Sequence, residues 1–277
     1  MLTLPLIVEP QALHEQLHHP DLLIIDLSSA EHYAQGHLPG AVRLDATRLL
    51  RGEGPIPNLI PTEAQLSALC SELGIGANTW VLAYDDQLGP WAGRLAWTLH
   101  CIGHTRVSVL NGQLPAWTEA GFELDTTSHA PSPSPRQVRL EHPELIMGAR
   151  EILAAREQNS LTVWDARSAD EFSGVKVVNA AKGGHIPGAH HLEWTDLLES
   201  GSVPRLKPKA ELLQLLQQAE IKLDQPVVTH CQTHRRSGLT WLVGRWLGMQ
   251  SIACYDGSWF EWGNDPELPA EQSTSGK

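Results

Sequence analysis

No apolar run in this sequence approaches the roughly 20 residues needed to cross a bilayer, and no dense Lys/Arg block marks a nucleic-acid surface. The opening stretch, MLTLPLIVEP, lacks a basic n-region and meets Glu9 almost at once, so no secretory leader is expected. Cysteine is scarce: Cys70, Cys101, Cys231 and Cys254, none in a C-x-x-C pair. A chain this long does not need disulfide staples, so four free thiols in a reducing cytoplasm are expected. Basic residues are outnumbered, 20 Lys+Arg against 32 Asp+Glu, for a net charge of −12. Such a field repels anions at long range, and an anionic substrate must be drawn in by local donors. These absences lead us to expect a soluble monomer without membrane or nucleic-acid partners.

What is present is an ordinary globular composition, 42% hydrophobic and 19% charged, in 277 residues. That length favours two domains of about 125–140 residues, and an internal repeat supports the division. LAYDD (82–86) aligns with VVTHC (227–231), and at the same offset Gly93 meets Gly238, Gly103 meets Gly248, Gly112 meets Gly257 and Trp117 meets Trp262. Upstream, LLIIDLSSAEHY (22–33) matches LTVWDARSADEF (161–172), and GHLPGA (36–41) matches GHIPGA (184–189). The second copy carries an extra segment, VKVVNAAKG (175–183). The expected domains are 1–125 and 141–277, joined over 126–140 by a linker whose alternating Ser and Pro favour an extended, semi-rigid chain. The polar end, AEQSTSGK (270–277), is expected to fray.

Within each copy, Leu22–Leu27 and Leu161–Asp165 read as buried strands, followed by the turn-rich G-H-x-P-G-A loop. A helix is expected over 212–219, a second buried strand over 226–230, and an amphipathic helix over 237–248 that Gly248 stops. Strands alternating with helices define an α/β class: mainly parallel sheets flanked by helices, with ligands bound beyond the carboxyl ends of the strands.

Cys231 falls at such a place, between a buried strand and a helix, in the loop CQTHRR (231–236). Successive loop N–H groups and the positive helix end can converge there on one anion, lowering the pKa of a thiol. Arg235 and Arg236 add charge, Thr233 and Ser237 add hydroxyls, and Gln232 and His234 complete the candidate binding loop. Cys70, Cys101 and Cys254 read instead as small core residues. Asp86 occupies the Cys231 position in the first copy, where a carboxylate cannot act as a sulfur nucleophile and would repel an anion in the same cradle. The first copy is therefore expected to be catalytically silent. Asp165 and Arg167 are expected to fix the loop as an ion pair, with Trp194 at the site mouth.

With GHIPGA (184–189), CQTHRRS (231–237) and DGSWFEWG (256–263), and a cysteine at this position in the second copy alone, the sequence resembles the tandem-domain rhodaneses, the thiosulfate and 3-mercaptopyruvate sulfurtransferases. The loop looks most like that of the bacterial, Azotobacter-type branch, whose active loop reads Cys-Gln-Thr-His. The resemblance implies two rhodanese-like domains with about five parallel strands each and Cys231 as the residue that becomes a persulfide. It also implies a small anionic sulfur donor, and a cyanide or thiol acceptor that extends to a thioredoxin-like protein. No metal or organic cofactor is implied. Gln232-Thr233-His234 matches neither the Arg-Lys-Gly nor the Gly-Ser-Gly that follows the cysteine in the two main branches, so donor choice stays open. Glu171 stands where those branches carry a substrate-binding Arg, which predicts weaker hold on a dianionic donor.

Other chemistries compete. A cysteine phosphatase or arsenate reductase would need H-C-x5-R, but the required position is Ser237 and Arg236 is one place short. A zinc site could draw on His185, His190, His191, His230 and His234, yet these lack H-x3-H or C-x2-C spacing. A 3-mercaptopyruvate-type donor and a non-enzymatic persulfide-binding module are the remaining alternatives.

Overall fold

The buried residues of the first unit run into a five-stranded, all-parallel sheet: β1 (Ile7–Val8), β2 (Leu22–Asp26), β3 (Val42–Arg43), β4 (Trp80–Tyr84) and β5 (Val107–Leu110), in the order β1-β5-β4-β2-β3. This computed structural model describes residues 2–158 and 160–272, so the part of the expected frayed end from 273 onward lies outside the described residues. All five residues of β4 are buried, as expected for a central parallel strand covered on both faces. The helices are α1 (Pro10–His14), α2 (Ala30–Gln35), α3 (Glu63–Leu73), α4 (Pro90–Cys101) and α5 (Gln113–Glu119). A reciprocal capping box between Thr62 and Gln65 starts α3.

The second unit repeats the plan: α6 (Ala149–Glu157), β6 (Thr162–Asp165), α7 (Ala169–Ser173), β7 (His190–His191), α8 (Lys209–Gln218), β8 (Val227–His230), α9 (Arg236–Leu247), β9 (Ile252–Cys254) and α10 (Ser258–Trp262). Among the described residues its sheet has four parallel strands, β7-β6-β8-β9, rather than the five expected. The fifth is reduced to a single parallel bridge, Ile146 to Cys254, on the edge where β1 lies in the first unit. The strands and helices anticipated from periodicity all form, with ends shifted by one to three residues. Gly248, in the left-handed region at φ 102°, stops α9 as expected.

The division of the chain is not linear. One unit comprises the residues up to Gly52 together with Ile60–Pro143 and Glu199–Leu206; the other comprises Glu53–Leu59, Glu144–Leu198 and the residues from Lys207 onward. Each unit thus includes a short piece drawn from the other repeat. The Ser/Pro stretch is extended and tied to its own unit: Ser71 O accepts from Ser134 N, Ser71 Oγ from Arg136 N, and Ser67 Oγ from Val138 N.

The GH histidines hold corresponding turns in both copies. His37 stacks on Tyr33 at 3.8 Å and bonds its carbonyl through Nδ1; His185 stacks on Phe172 at 3.7 Å and does the same. In the second unit the buried face of α9 (Leu239, Trp241, Leu242, Val243) lies on β8 and β9, anchored by Trp241 Nε1 donating to the Ile252 carbonyl at 3.2 Å. Gly244 permits the approach, because a Cβ there would sit 2.6 Å from Ile252 Cδ1. Trp117 and Trp262, matched in the repeat, are both core residues, each removing about 150–250 Å² from water. Trp246 is half-buried under the Lys209 ammonium, 4.6 Å from its ring.

Candidate active site

β8 ends at His230, and the chain turns through 231–235 before α9 begins, which places Cys231 beyond the carboxyl end of a central strand. The carbonyls of this turn face α10: Cys231 O accepts from Trp259 N at 3.0 Å, and Gln232 O from Phe260 N at 2.9 Å. The amides of Thr233 and Ser237 are directed at the Cys231 sulfur instead. His234 makes the reversal possible by adopting φ 54°, in the left-handed region where the first copy has Gly89 at φ 105°. A non-glycine residue there stores strain of order 1–3 kcal/mol, which the surrounding bonds must hold.

Cys231 is 1% exposed. Burial pushes its thiol up, but the charge of Arg236 and the bonds from Ser237 and Thr233 prevail and hold it below the ordinary cysteine value. Ser237 Oγ donates to Cys231 Sγ at 3.6 Å and lies 2.7 Å from His234 Nδ1. A hydroxyl has one proton, so if that proton goes to sulfur, His234 must donate to Ser237 through an Nδ1–H.

Arg236 is half-buried, and both of its terminal nitrogens bond Glu171, at 2.7 and 2.8 Å. Glu171 in turn closes the capping box of α7 with Ser168. Burial alone would raise the Glu171 carboxyl; the bonds and charge of Arg236, then Ser168, lower it to about 2. Glu171 is 4% exposed and turned toward Arg236.

The remaining candidates divide. Asp165 and Arg167 form the expected ion pair at 2.6 Å, both buried, and Arg167 also bonds Gly184 O and lies 4.3 Å from the Trp259 ring centroid. Trp194, half-buried, is tied by its N–H to Ala166 O at the exit of β6. Gln232 directs its amide away from Cys231, to Val178 O in the extra segment. Trp259 Nε1 reaches Lys182 O and Asn264 holds Ala181 and Asn179, so 175–183 is pinned beside the loop. Arg235 is exposed at the start of α9. The histidines weighed as zinc ligands make separate contacts: His191 to Arg167 O, His230 to Cys231 O and His190 toward Glu220. Among the described residues, the ligand types that do come together are His37, Asp125 and His129 in the first unit.

Two participants escaped the sequence reading. Ser258, at φ 53°, accepts the Cys231 N–H on its Oγ at 3.4 Å and donates to Tyr255 O at 2.8 Å. The pair Gly112-Gln113 at the matching place, with Gln113 at φ 55°, was the available signal. Asn58, from the first repeat but part of the second unit, donates to the carbonyls of Asp256 and Gly257, and nothing local in the sequence announces it.

The first copy departs from expectation at its cradle. The carboxylate filling it belongs to Asp85, not Asp86. Asp85 Oδ1 accepts from Gln87 and Gly89 N–H at 2.7 and 2.8 Å, and Oδ2 from Trp91 and Ala92 at 2.8 and 3.0 Å. Asp86 points elsewhere, to Ser29 N at 3.0 Å and His32 Nδ1 at 2.5 Å, because successive side chains leaving a strand face opposite ways.

Two α/β units, a thiol faced by amides and a guanidinium in the second and a carboxylate in the corresponding loop of the first define a tandem rhodanese architecture. The rhodanese-like domain family matches residues 9–120 and 148–265. A thiosulfate sulfurtransferase of Pseudomonas aeruginosa is 44% identical, with 97% of each chain covered. One of Azotobacter vinelandii is 42% identical, covering 97% of this chain and 98% of that one. The crystal structure of the 3-mercaptopyruvate sulfotransferase SseA of Escherichia coli superposes with a TM-score of 0.83 at 26% identity, over 92% of this chain and 99% of that one. The chain belongs to the rhodanese-like family of sulfurtransferases.

Proposed function

We propose that this chain takes the outer sulfur of thiosulfate onto Cys231 and passes it to cyanide or a thiol. The observation that carries the reading is the Cys231 sulfur, which faces the amides of Thr233 and Ser237, the Ser237 hydroxyl and the charge of Arg236. In the first half-reaction the thiolate attacks the sulfane sulfur, the S–S bond of thiosulfate breaks, and sulfite leaves with the bonding pair. The product, Cys–S–S⁻, carries its charge one atom further out. The acceptor then attacks that terminal sulfur, forming thiocyanate from cyanide and returning the Cys231 thiolate. No other cofactor enters the balance. The loop supplies a thiol whose pKa is lowered and donors already oriented.

Thiosulfate is favoured as donor because the relatives at 44% and 42% identity bear that name. A reducing, cytoplasmic setting is supported by four buried cysteines, none of them in a disulfide; no helix among the described residues is long and apolar enough to cross a membrane. A protein thiol of thioredoxin type is a chemically suitable acceptor, and a monomer suffices for the reaction. Mass spectrometry tests the reading: after thiosulfate the chain should gain one sulfur atom, and cyanide should remove it. Cys231→Ser should fold, gain no sulfur and transfer none. Wild-type turnover by that variant would refute the assignment.

A further inference from the structure

The first unit contains a cleft of about 290 Å³ lined by Asp86, Leu88 and Gln113, the repeat counterparts of Cys231, Thr233 and Ser258. It opens at the carboxyl ends of parallel strands, where α/β sheets bind ligands, and its volume is near the lower end for small-molecule sites. Its walls are largely apolar, with Leu88, Leu114, Pro115 and Leu124, and its ionisable groups are Asp85, Asp86 and His32. Lys and Arg are absent from the lining.

Three observations point to an occupant. Leu88 and Leu124 are two of the five large apolar side chains that are exposed among the described residues, each at 40%. Leu88 is held at φ 72°, a left-handed conformation that a branched residue adopts at a cost. Strain and exposed apolar surface both oppose folding, and a bound apolar group would offset the second. Finally, the Asp86 carboxylate, bonded through Oδ2 to Ser29 and His32, lines the cleft with 15% of its side chain open.

Charge decides the class of ligand. The loop amides, two of which face the Cys231 sulfur in the second copy, are already taken here by the Asp85 carboxylate. Where the second copy has Cys231, Arg235 and Arg236, the first has Asp86, Pro90 and Trp91. We propose that this cleft is a second ligand site, for a small organic cation: an apolar ring or short chain bearing an amine or amidine, whose N–H groups meet Asp86. The two copies then bind ligands of opposite sign.

Isothermal titration of the full chain with benzamidinium, benzamide and benzoate tests this, since the three share a shape and differ in charge. Benzamidinium should bind saturably, and benzoate at least about tenfold more weakly, as loss of one charge-assisted contact requires. Asp86→Asn should weaken benzamidinium about tenfold and leave benzamide unchanged. Leu124→Ser, an exposed site that spares the fold, should weaken both. Cys231→Ser should bind like the wild type, which separates this cleft from the sulfur site. Equal affinity for the three probes, no saturation by benzamidinium, or full affinity in Asp86→Asn would overturn the proposal.

Discussion

Arg236 and Glu171 meet through two parallel hydrogen bonds, from Nη1 to Oε2 and from Nη2 to Oε1. This fork fixes the guanidinium whose charge lowers the Cys231 thiol. Reversing the carboxylate to Arg would set two guanidinium groups against each other. Glu171→Arg should therefore raise the KM for thiosulfate rather than lower it, contrary to what alignment with the substrate-binding Arg of relatives implies. Glu171→Ala should lose about 1–3 kcal/mol of stability by leaving Arg236 short of acceptors. Denaturant titration and steady-state kinetics read the two effects.

The same pair sets an acid limit. The Glu171 carboxyl is lowered from 4.5 to about 2 on folding, so its stabilising contribution is complete above the ordinary carboxylate range and is lost as the pH falls toward about 2. Unfolding midpoints measured from pH 6 downward should fall more steeply for the wild type than for Glu171→Gln, which has no proton to take up at this position.

Arg236 also lowers the Cys231 thiol, so its loss has a definite sign. Thiolate grows with pH, and Arg236→Gln removes positive charge that favours it. The acid limb of the alkylation rate with iodoacetamide should move to higher pH. Ser237→Ala should move it in the same direction, since a donor to the sulfur is lost. A profile unchanged in both variants would place the control of Cys231 elsewhere.

Cys70, Cys101 and Cys254 are buried and form no disulfide. Burial raises the Cys70 thiol to about 11, which keeps it protonated at neutral pH. Replacing each of the three with Ala should leave kcat and KM near wild type while costing roughly 1 kcal/mol through small cavities. Thermal unfolding and the thiosulfate–cyanide assay measure the two sides separately.

Asp85 supplies a further case. Asp85→Gly empties a cradle of four N–H groups, leaving donors without an acceptor at a cost of about 1–3 kcal/mol. Added sulfate or thiosulfate should restore much of the lost Tm in this variant and shift the wild type little. Equal shifts would mean that the loop does not bind anions once vacated.

Much of this was legible because the two copies check each other. Matching glycines and the G-H-x-P-G-A loops aligned the repeats, and the alignment put Cys231 after β8 without reference to coordinates. What failed to show was set by direction and distance. Whether Asp85 or Asp86 enters the cradle depends on which way a strand-end side chain points, and neighbours point oppositely. Glu171 and Arg236 are 65 residues apart, and no local pattern ties a capping carboxylate to a later arginine. Ile146 could not be foreseen as a lone bridge, because edge pairing depends on where the chain enters rather than on apolar content.

The non-linear division of the chain bears on how the protein can be dissected. Cutting the gene within 126–140 would appear to separate two tidy halves. Yet Glu53–Leu59 would leave with the wrong fragment, taking Asn58 from the Asp256 and Gly257 carbonyls just ahead of Ser258. Glu199–Leu206 would be lost from the other, with Leu206 N no longer bonded to Asn111 Oδ1. A C-terminal fragment bearing every residue of the thiol loop would still lack a strut behind it, and full function would call for co-expressed or recombined pieces.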